Sequence, residues 1–398
     1  MKAPIKKKSF TRPSIDSIRE SLGLNMTSTH TVVSSASKPQ SFIAMPEAFV
    51  EATKLPGIPE GTTTLIFGHS NTGKSLLKNC LIASAQRQGI LPVIYETENN
   101  FSFPFAMSCG MQAEPVYGEV EVEDVDEETG EVTYKKETQI INYTGSFLYY
   151  DSAILADRYG DIDHSQGKKV TKKRTQPVIE DIAYSMNEIL DAQEDGRIQQ
   201  PILFIWDSIG SIPSYRSMTS KTSNAMWDAG ALSQCFNMLL NNRIPSSQKI
   251  SSPYLNTFVA VNKIWVDSMS SPMAAPSMQL KGGNSLNYAA RLTIQLGGTI
   301  RAATKKLQAE TKGVKYTYGL TTKIKVIKNQ LDSPYNVTYE GSFNCVPDGM
   351  IPESRLADYK KQNISKIIKQ LSDQLAERGE QMDINESDVA FSEEETDD

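Results

Sequence analysis

The sequence predicts an α/β protein built on a mainly parallel sheet covered by helices, and three observations carry that expectation. Apolar strands and amphipathic helices alternate from residue 62 to residue 327. The segment 202–206 (Ile-Leu-Phe-Ile-Trp) is apolar without alternation, as a strand covered on both faces must be. The β-branched and apolar stretch 62–67 passes through a glycine-bearing loop into residues 76–83, where apolar side chains recur at helical spacing. Strand, glycine loop and helix in that order form the entry unit of many parallel α/β folds.

The other elements follow in chain order. Residues 92–96 (Pro-Val-Ile-Tyr-Glu) read as an apolar strand, and 177–192 as a helix with Val178, Ile179, Ile182, Met186, Ile189 and Leu190 inward. Residues 229–241 read as a helix, 257–261 as a strand, and 291–296 and 322–327 as two more strands. This core occupies residues 42–355. It is interrupted at 112–150, where strand-like alternation at 116–122 and 131–141 flanks Glu128-Thr129-Gly130, a hairpin signal. The first of these strands and its turn are acidic, so the segment reads as a β-insertion at the surface. The basic run 168–174 reads as a loop within reach of phosphate. A C-terminal helix is expected over 356–379, with Tyr359, Ile364, Ile367, Ile368, Leu371 and Leu375 apolar.

Both ends differ in composition from the core. Residues 1–41 form an arm, basic through Lys2, Lys6, Lys7, Lys8 and Arg12, in which Ser14 caps a short amphipathic helix through Leu22. Such a helix has no core of its own, so the arm reads as an oligomerisation element. Residues 380–398 carry nine carboxylates and no lysine or arginine. The formal net charge of −6 becomes +3 without them. A terminal acidic run of this kind is expected to be disordered and to compete with nucleic acid for a basic surface.

The 398 residues are enough for one large α/β domain with appendages. No apolar run approaches the ~20 residues of a membrane helix, and residues 1–8 lack the apolar stretch of a secretion signal. Cys80, Cys109, Cys235 and Cys345 are scattered without C-x-x-C spacing and read as buried free thiols. No membrane partner and a reducing, cytoplasmic location are expected.

The chemistry is concentrated in the loop Gly68-His69-Ser70-Asn71-Thr72-Gly73-Lys74-Ser75, followed by Leu76, a complete G-x-x-x-x-G-K-[ST] pattern. Its backbone N–H groups and the positive end of the following helix would cradle phosphates. Lys74 would reach the β- and γ-phosphates and Ser75 would give its hydroxyl to magnesium. ATP and Mg2+ are therefore the expected cofactors. Asp207 ends the apolar strand 202–206 at the carboxyl edge, where a second magnesium-side carboxylate belongs. Glu96 and Glu98 end the strand after the glycine loop, and their i, i+2 spacing lets either reach the γ-phosphate.

This order of motifs, with Ala260-Val261-Asn262-Lys263-Ile264, Lys281-Gly282-Gly283-Asn284-Ser285-Leu286 and Lys325-Val326-Ile327-Lys328-Asn329-Gln330, resembles the RecA-type strand-exchange recombinases, including those encoded by bacteriophages. The resemblance covers roughly residues 42–350. It implies a RecA-like P-loop ATPase core, with Glu98 activating water and Glu96 as the acidic residue two before it. Lys263 stands where the family has a polar γ-phosphate sensor, usually glutamine. Lys328 matches a lysine that the family projects onto the neighbouring subunit's γ-phosphate; the companion lysine is Gln330 here. Phe105 is the candidate for an adenine-stacking ring, because the family's tyrosines are missing. Residues 213–227, with Arg216 and Lys221, and residues 264–283, with Trp265, Lys281, Gly282 and Gly283 and with Asn284 immediately after, match the two DNA-binding loops. The second loop shows no secondary-structure pattern. The resemblance further implies single- and double-stranded DNA as partners, a helical homo-oligomeric filament, assistance by a single-strand-binding protein and a loader, and a bacterial or infected bacterial host. A RecA-fold helicase or remodelling ATPase, and a nucleotide-binding scaffold without recombinase activity, remain as alternative readings.

Overall fold

A computed structural model describes residues 36–125, 132–165, 167–169, 171, 173–220, 225–266, 278–280, 284–299, 301–377 and 384–395. Strand β1 (Phe42–Ala44) pairs antiparallel with β2 (Gly57–Pro59) around helix α1 (Glu47–Thr53). β3 (Thr63–Gly68), α2 (Lys74–Arg87) and β4 (Leu91–Glu96) form the first β-α-β unit. Helix α3 (Phe103–Ser108) leads into a long hairpin of β5 (Glu114–Val125) and β6 (Val132–Thr144), after which β7 (Leu148–Asp151) rejoins the sheet. Then come α4 (Ser152–Tyr159), a small pair of β8 (Ile162–Asp163) and β9 (Lys168–Lys169), and α5 (Ile179–Glu194). β10 (Ile202–Asp207), α6 (Tyr215–Thr219), α7 (Ala225–Met238) and β11 (Asn256–Val266) follow. The last part holds β12 (Met278–Leu280), α8 (Asn284–Ala289), β13 (Leu292–Leu296), β14 (Lys305–Thr311) and β15 (Val314–Asn329). It closes with β16 (Glu340–Val346), β17 (Gly349–Ile351), α9 (Leu356–Glu377) and β18 (Ala390–Glu395).

The main sheet has the order β17-β16-β15-β13-β3-β11-β10-β4-β7. From β13 to β7 all neighbours are parallel, and β15, β16 and β17 add an antiparallel wing. The central strands divide their side chains between two cores because successive residues point to opposite faces. Phe204 and Trp206 pack with α5 and α7, whereas Leu203 and Ile205 pack with α1 and α2. This is why residues 202–206 lack alternation. Strand β15 is bent between two duties: its C-terminal half pairs with β13 and its N-terminal half with β14.

Several expectations are corrected here. The inserted hairpin is β5–β6 alone; residues 148–150 of the expected insertion belong to β7, the parallel edge strand beside β4. The hairpin turn at 128–130 and the arm residues 1–35 lie outside the described residues. Residues 36–41 of the expected arm belong to the body, since Ser37 bridges Lys249 and Ile250 N–H donates to the Ala36 carbonyl. Within the basic run, Lys168 and Lys169 form β9, and Arg174 is committed to the Asp181 carboxylate at 2.8 and 2.9 Å. An arginine held this way on a helix N-terminal carboxylate secures the start of α5. The second loop's ends are not structureless, for β11 continues to Val266 and β12 pairs back onto it at Ile264↔Leu280.

The acidic tail departs most from expectation. Residues 390–395 pair antiparallel with β14, placing Glu394 opposite Lys306 and Glu395 opposite Lys305. Glu393 and Glu394 lie 3.5 and 3.7 Å from Lys305 and Lys315. Phe391 packs edge-on against Tyr318 at 5.8 Å and extends the small core formed by Ile367, Leu371 and Leu375 of α9 with β14 and β15. One apolar anchor and a basic partner strand thus give the acidic segment a register that its composition alone does not suggest.

Candidate functional site

The carboxyl ends of the central strands meet at one edge because their registers align. Asp207 sits opposite Glu96 on one side and Val261 on the other, and Lys263 and Leu296 both flank Gly68. At that edge β3 turns into α2 through residues 68–73. Two glycines are dictated by space. A side chain at Gly68 would meet the Leu296 carbonyl oxygen at 2.4 Å, and one at Gly73 would meet Cys345 Sγ at 2.8 Å. Gly73 also has φ +84°, and Asn71 has φ 57°, so the loop turns twice through the left-handed region. Thr72 ties the loop by donating to the His69 carbonyl at 2.9 Å, while His69 Nε2 lies 3.1 Å from the Thr299 carbonyl. Helix α2 therefore begins at Lys74 with its N-terminus facing the open edge, an arrangement that favours anions.

Three ammonium groups and three carboxyls cluster behind this loop. Lys78, on α2, is almost wholly buried and donates to Glu96 at 3.0 Å and to Asp207 at 2.5 Å. Burial works against its charge, but Asp207 and Glu96 outweigh it and hold the proton more tightly than water does. Burial raises the Glu96 carboxyl above its ordinary value, against the pull of Lys78. Lys74 curls back onto the loop, donating to the carbonyls of Gly68 at 2.9 Å and of His69. Burial lowers its pKa from 10.5 to about 8, with Asp207 opposing the drop and Lys263 adding to it. Glu98 accepts from Lys263 at 2.8 Å and from the Ser208 hydroxyl. Burial alone would raise Glu98; those two donors and Lys263's charge reverse the sign and hold it below the usual carboxylate range.

A cavity of about 680 Å³ opens over the loop. Its floor is formed by residues 70–76, and Glu98, Phe105, Asp207 and Lys263 line its side. Glu96 is not on its wall: the side chain is 0% exposed beneath Asp207 and Lys78. The i, i+2 spacing does not separate Glu96 from Glu98, and only the family resemblance assigns the water-activating role to Glu98. Strand β4 ends at Glu96, however, and the chain turns so that only Glu98 faces the opening. The opposite wall comes from Thr304, Lys306, Thr317, Tyr318 and Cys345 of the antiparallel wing, residues that carry no local signature. Lys78 was equally missed. The signal for it is that residues 76–85 of α2 are all buried, so a lysine among them needs a carboxylate partner.

Other expected site residues lie apart. Lys328 pairs with Thr293 near the start of β13, at the opposite end of the sheet from Gly68, and donates to the carbonyls of Asn287 and Tyr288. Within one chain it does not approach the cavity. Arg216 is exposed on α6 with its guanidinium 4.5 Å from the Trp227 ring centroid. Trp265 falls in β11 and Asn284 opens α8. Lys221, Lys281, Gly282 and Gly283 lie outside the described residues.

Among the described residues no group of three or more His, Cys, Asp or Glu side chains is arranged to hold a metal by itself. Asp207 and Ser75 do share the cavity wall, and a carboxylate with a hydroxyl suits a hard cation that takes its other ligands from water and phosphate. The four cysteines are free, and among the described residues no helix is long and apolar enough to cross a membrane. No protein-family model matches this chain, and no curated protein matches it.

Proposed function

We propose that this chain is a RecA-type, DNA-dependent ATPase that assembles as a filament on single-stranded DNA and pairs it with homologous duplex. The observation that carries the proposal is the junction, in one 680 Å³ cavity, of a glycine loop at a helix N-terminus, Lys74, Asp207 and Glu98. In this reading the loop N–H groups and Lys74 bind and orient the phosphates of ATP. Ser75 and Asp207 would hold Mg2+, which when bound neutralises phosphate charge. Glu98 takes a proton from the attacking water as its oxygen bonds to the γ-phosphorus and the bridge to the β-phosphate breaks. The half-buried Phe105 supplies an apolar surface at the cavity rim. Residues 213–227 and 264–283 would contact DNA, with Arg216 as one phosphate ligand. Lys328 would serve a neighbouring subunit's nucleotide. Its place at the end of α8, far from its own cavity, supports that role.

The alternative, a nucleotide-binding scaffold, draws support from the engagement of Glu98 with Lys263. Glutamine substitutions separate the two readings. Glu98→Gln is expected to retain Mg·ATP binding and to lower kcat by roughly 10²–10⁴, the usual worth of a general base. Glu96→Gln is expected to lower kcat less than about tenfold while reducing stability, because Glu96 acts by anchoring Lys78. Steady-state phosphate release and denaturant unfolding measure both. Normal turnover in Glu98→Gln, or total loss in Glu96→Gln with the fold intact, reverses the assignment.

A further inference from the structure

The Glu98–Lys263 ion pair separates two cavities. One is the cavity over the glycine loop. The second, of about 410 Å³, lies behind the pair and is lined by Thr97, Glu98, Lys263 and residues 208–211. Both side chains of the pair line both spaces. Lys263 stems from β11 directly beside Gly68, the first residue of the loop. Its ammonium is 2.8 Å from Glu98 and close enough to Lys74 to disfavour that lysine's charge. With Lys263 42% exposed and Glu98 14% exposed, the lysine can swing while the glutamate is held by Ser208.

Resting on the reading of the cavity as a triphosphate site, we propose that Lys263 is a positioning residue that keeps Glu98 idle until the terminal phosphate of a nucleoside triphosphate draws its ammonium away. A terminal phosphate at the loop is the stronger claimant, since it brings more charge and more acceptor oxygens than one carboxylate. On transfer, Glu98 loses a charge-assisted donor and becomes a stronger base in the environment that burial sets. A diphosphate has no group in that place and leaves the pair closed. Base activation is thereby tied to the presence of the γ-phosphate, and the wall between the two cavities opens in the same step.

A double-mutant cycle tests the exchange without requiring turnover. Calorimetric affinities for Mg·AMP-PNP and Mg·ADP are compared in wild type, Glu98→Gln, Lys263→Met and the double variant. With Lys263 present, Glu98→Gln releases the ammonium in advance, so the preference for AMP-PNP over ADP is expected to rise about tenfold. In the Lys263→Met background the same change is expected to alter that preference by less than about twofold. Equal effects in both backgrounds, which simple relief of charge repulsion would give, overturn the proposal. Failure of all four proteins to bind either nucleotide defeats the reading of the cavity as well, and the two failures are thus distinct. Lys263→Gln replaces Lys263→Met should the latter not fold.

Discussion

Lys78→Met is expected to lower the unfolding free energy by about 3–5 kcal/mol at pH 7, the cost of stranding buried charge. The substitution keeps the length and most of the volume of the side chain, so packing on α2 changes little. What it removes is the single cation between Glu96, which is 0% exposed, and Asp207, which is 7% exposed. Two buried carboxyls then face each other across adjacent strands. The pH dependence fixes the cause. Without Lys78 the folded-state Glu96 carboxyl, already raised by burial, rises further. A carboxyl whose folded pKa lies above its unfolded one destabilises at high pH and ceases to do so as pH falls and it protonates. The deficit of Lys78→Met relative to wild type therefore narrows from pH 7 towards pH 5, and Glu96→Gln restores part of it at pH 7. Urea unfolding across that range is the measurement. A deficit that does not change with pH, with no rescue by Glu96→Gln, would mean that Lys78 acts through packing alone.

Lys74→Met is expected to separate binding from stability in opposite directions. Loss of the ammonium removes charge-assisted bonds to phosphate worth about 2–3 kcal/mol, so triphosphate affinity falls roughly 30- to 200-fold. The ligand-free protein, in contrast, becomes more stable. Burial depresses the Lys74 pKa from 10.5 to about 8, which corresponds to ~3 kcal/mol spent on keeping the group charged at neutral pH. The hydrogen bonds to Gly68 and His69 return about 1–2 kcal/mol of that. A gain of about 1–2 kcal/mol remains at pH 7. For a base with a lowered folded pKa the penalty is complete below that value and fades towards the unfolded value. The advantage of Lys74→Met is thus full below about pH 8 and gone by about 10.5. If the cavity takes a triphosphate as proposed, wild-type affinity for it is expected to decline as pH climbs through the same region. Denaturant unfolding at pH 7 and 9.5, with calorimetry on both proteins, reads all three effects. Undiminished triphosphate binding by Lys74→Met would remove the glycine loop from the site.

The parts legible in the sequence are those whose cause is local. Residues 68–75 spell out their own turn, because the loop passes twice through the left-handed region, at Asn71 (φ 57°) and Gly73 (φ +84°), where asparagine and glycine are favoured. The two-faced burial of 202–207 appears directly as a run without polar positions. Illegible parts depend on residues far apart in the chain. The cavity's second wall is Thr304, Lys306 and Tyr318, set there by β14–β15 pairing more than two hundred residues after the glycine loop. The tail strand is held by Lys305 and Lys315, which pair with Glu393 and Glu394, and by Phe391 against Tyr318, contacts that its own sequence, Ala-Phe-Ser-Glu-Glu-Glu, does not announce. Glu96 and Glu98 were indistinguishable by spacing and are separated by a turn of the chain after β4. Lys263 stands where β11 ends its pairing with β3, and its attachment to Glu98 rather than to open space is a tertiary fact.

The most direct test of the account is phosphate release from Mg·ATP by the full chain, with and without a single-stranded oligonucleotide. Stimulation by the oligonucleotide of about tenfold is predicted, within the range typical of coupled sites, together with its loss in Glu98→Gln. Absence of hydrolysis in both conditions, or a rate indifferent to DNA, would contradict the claim that this cavity links nucleotide to polynucleotide.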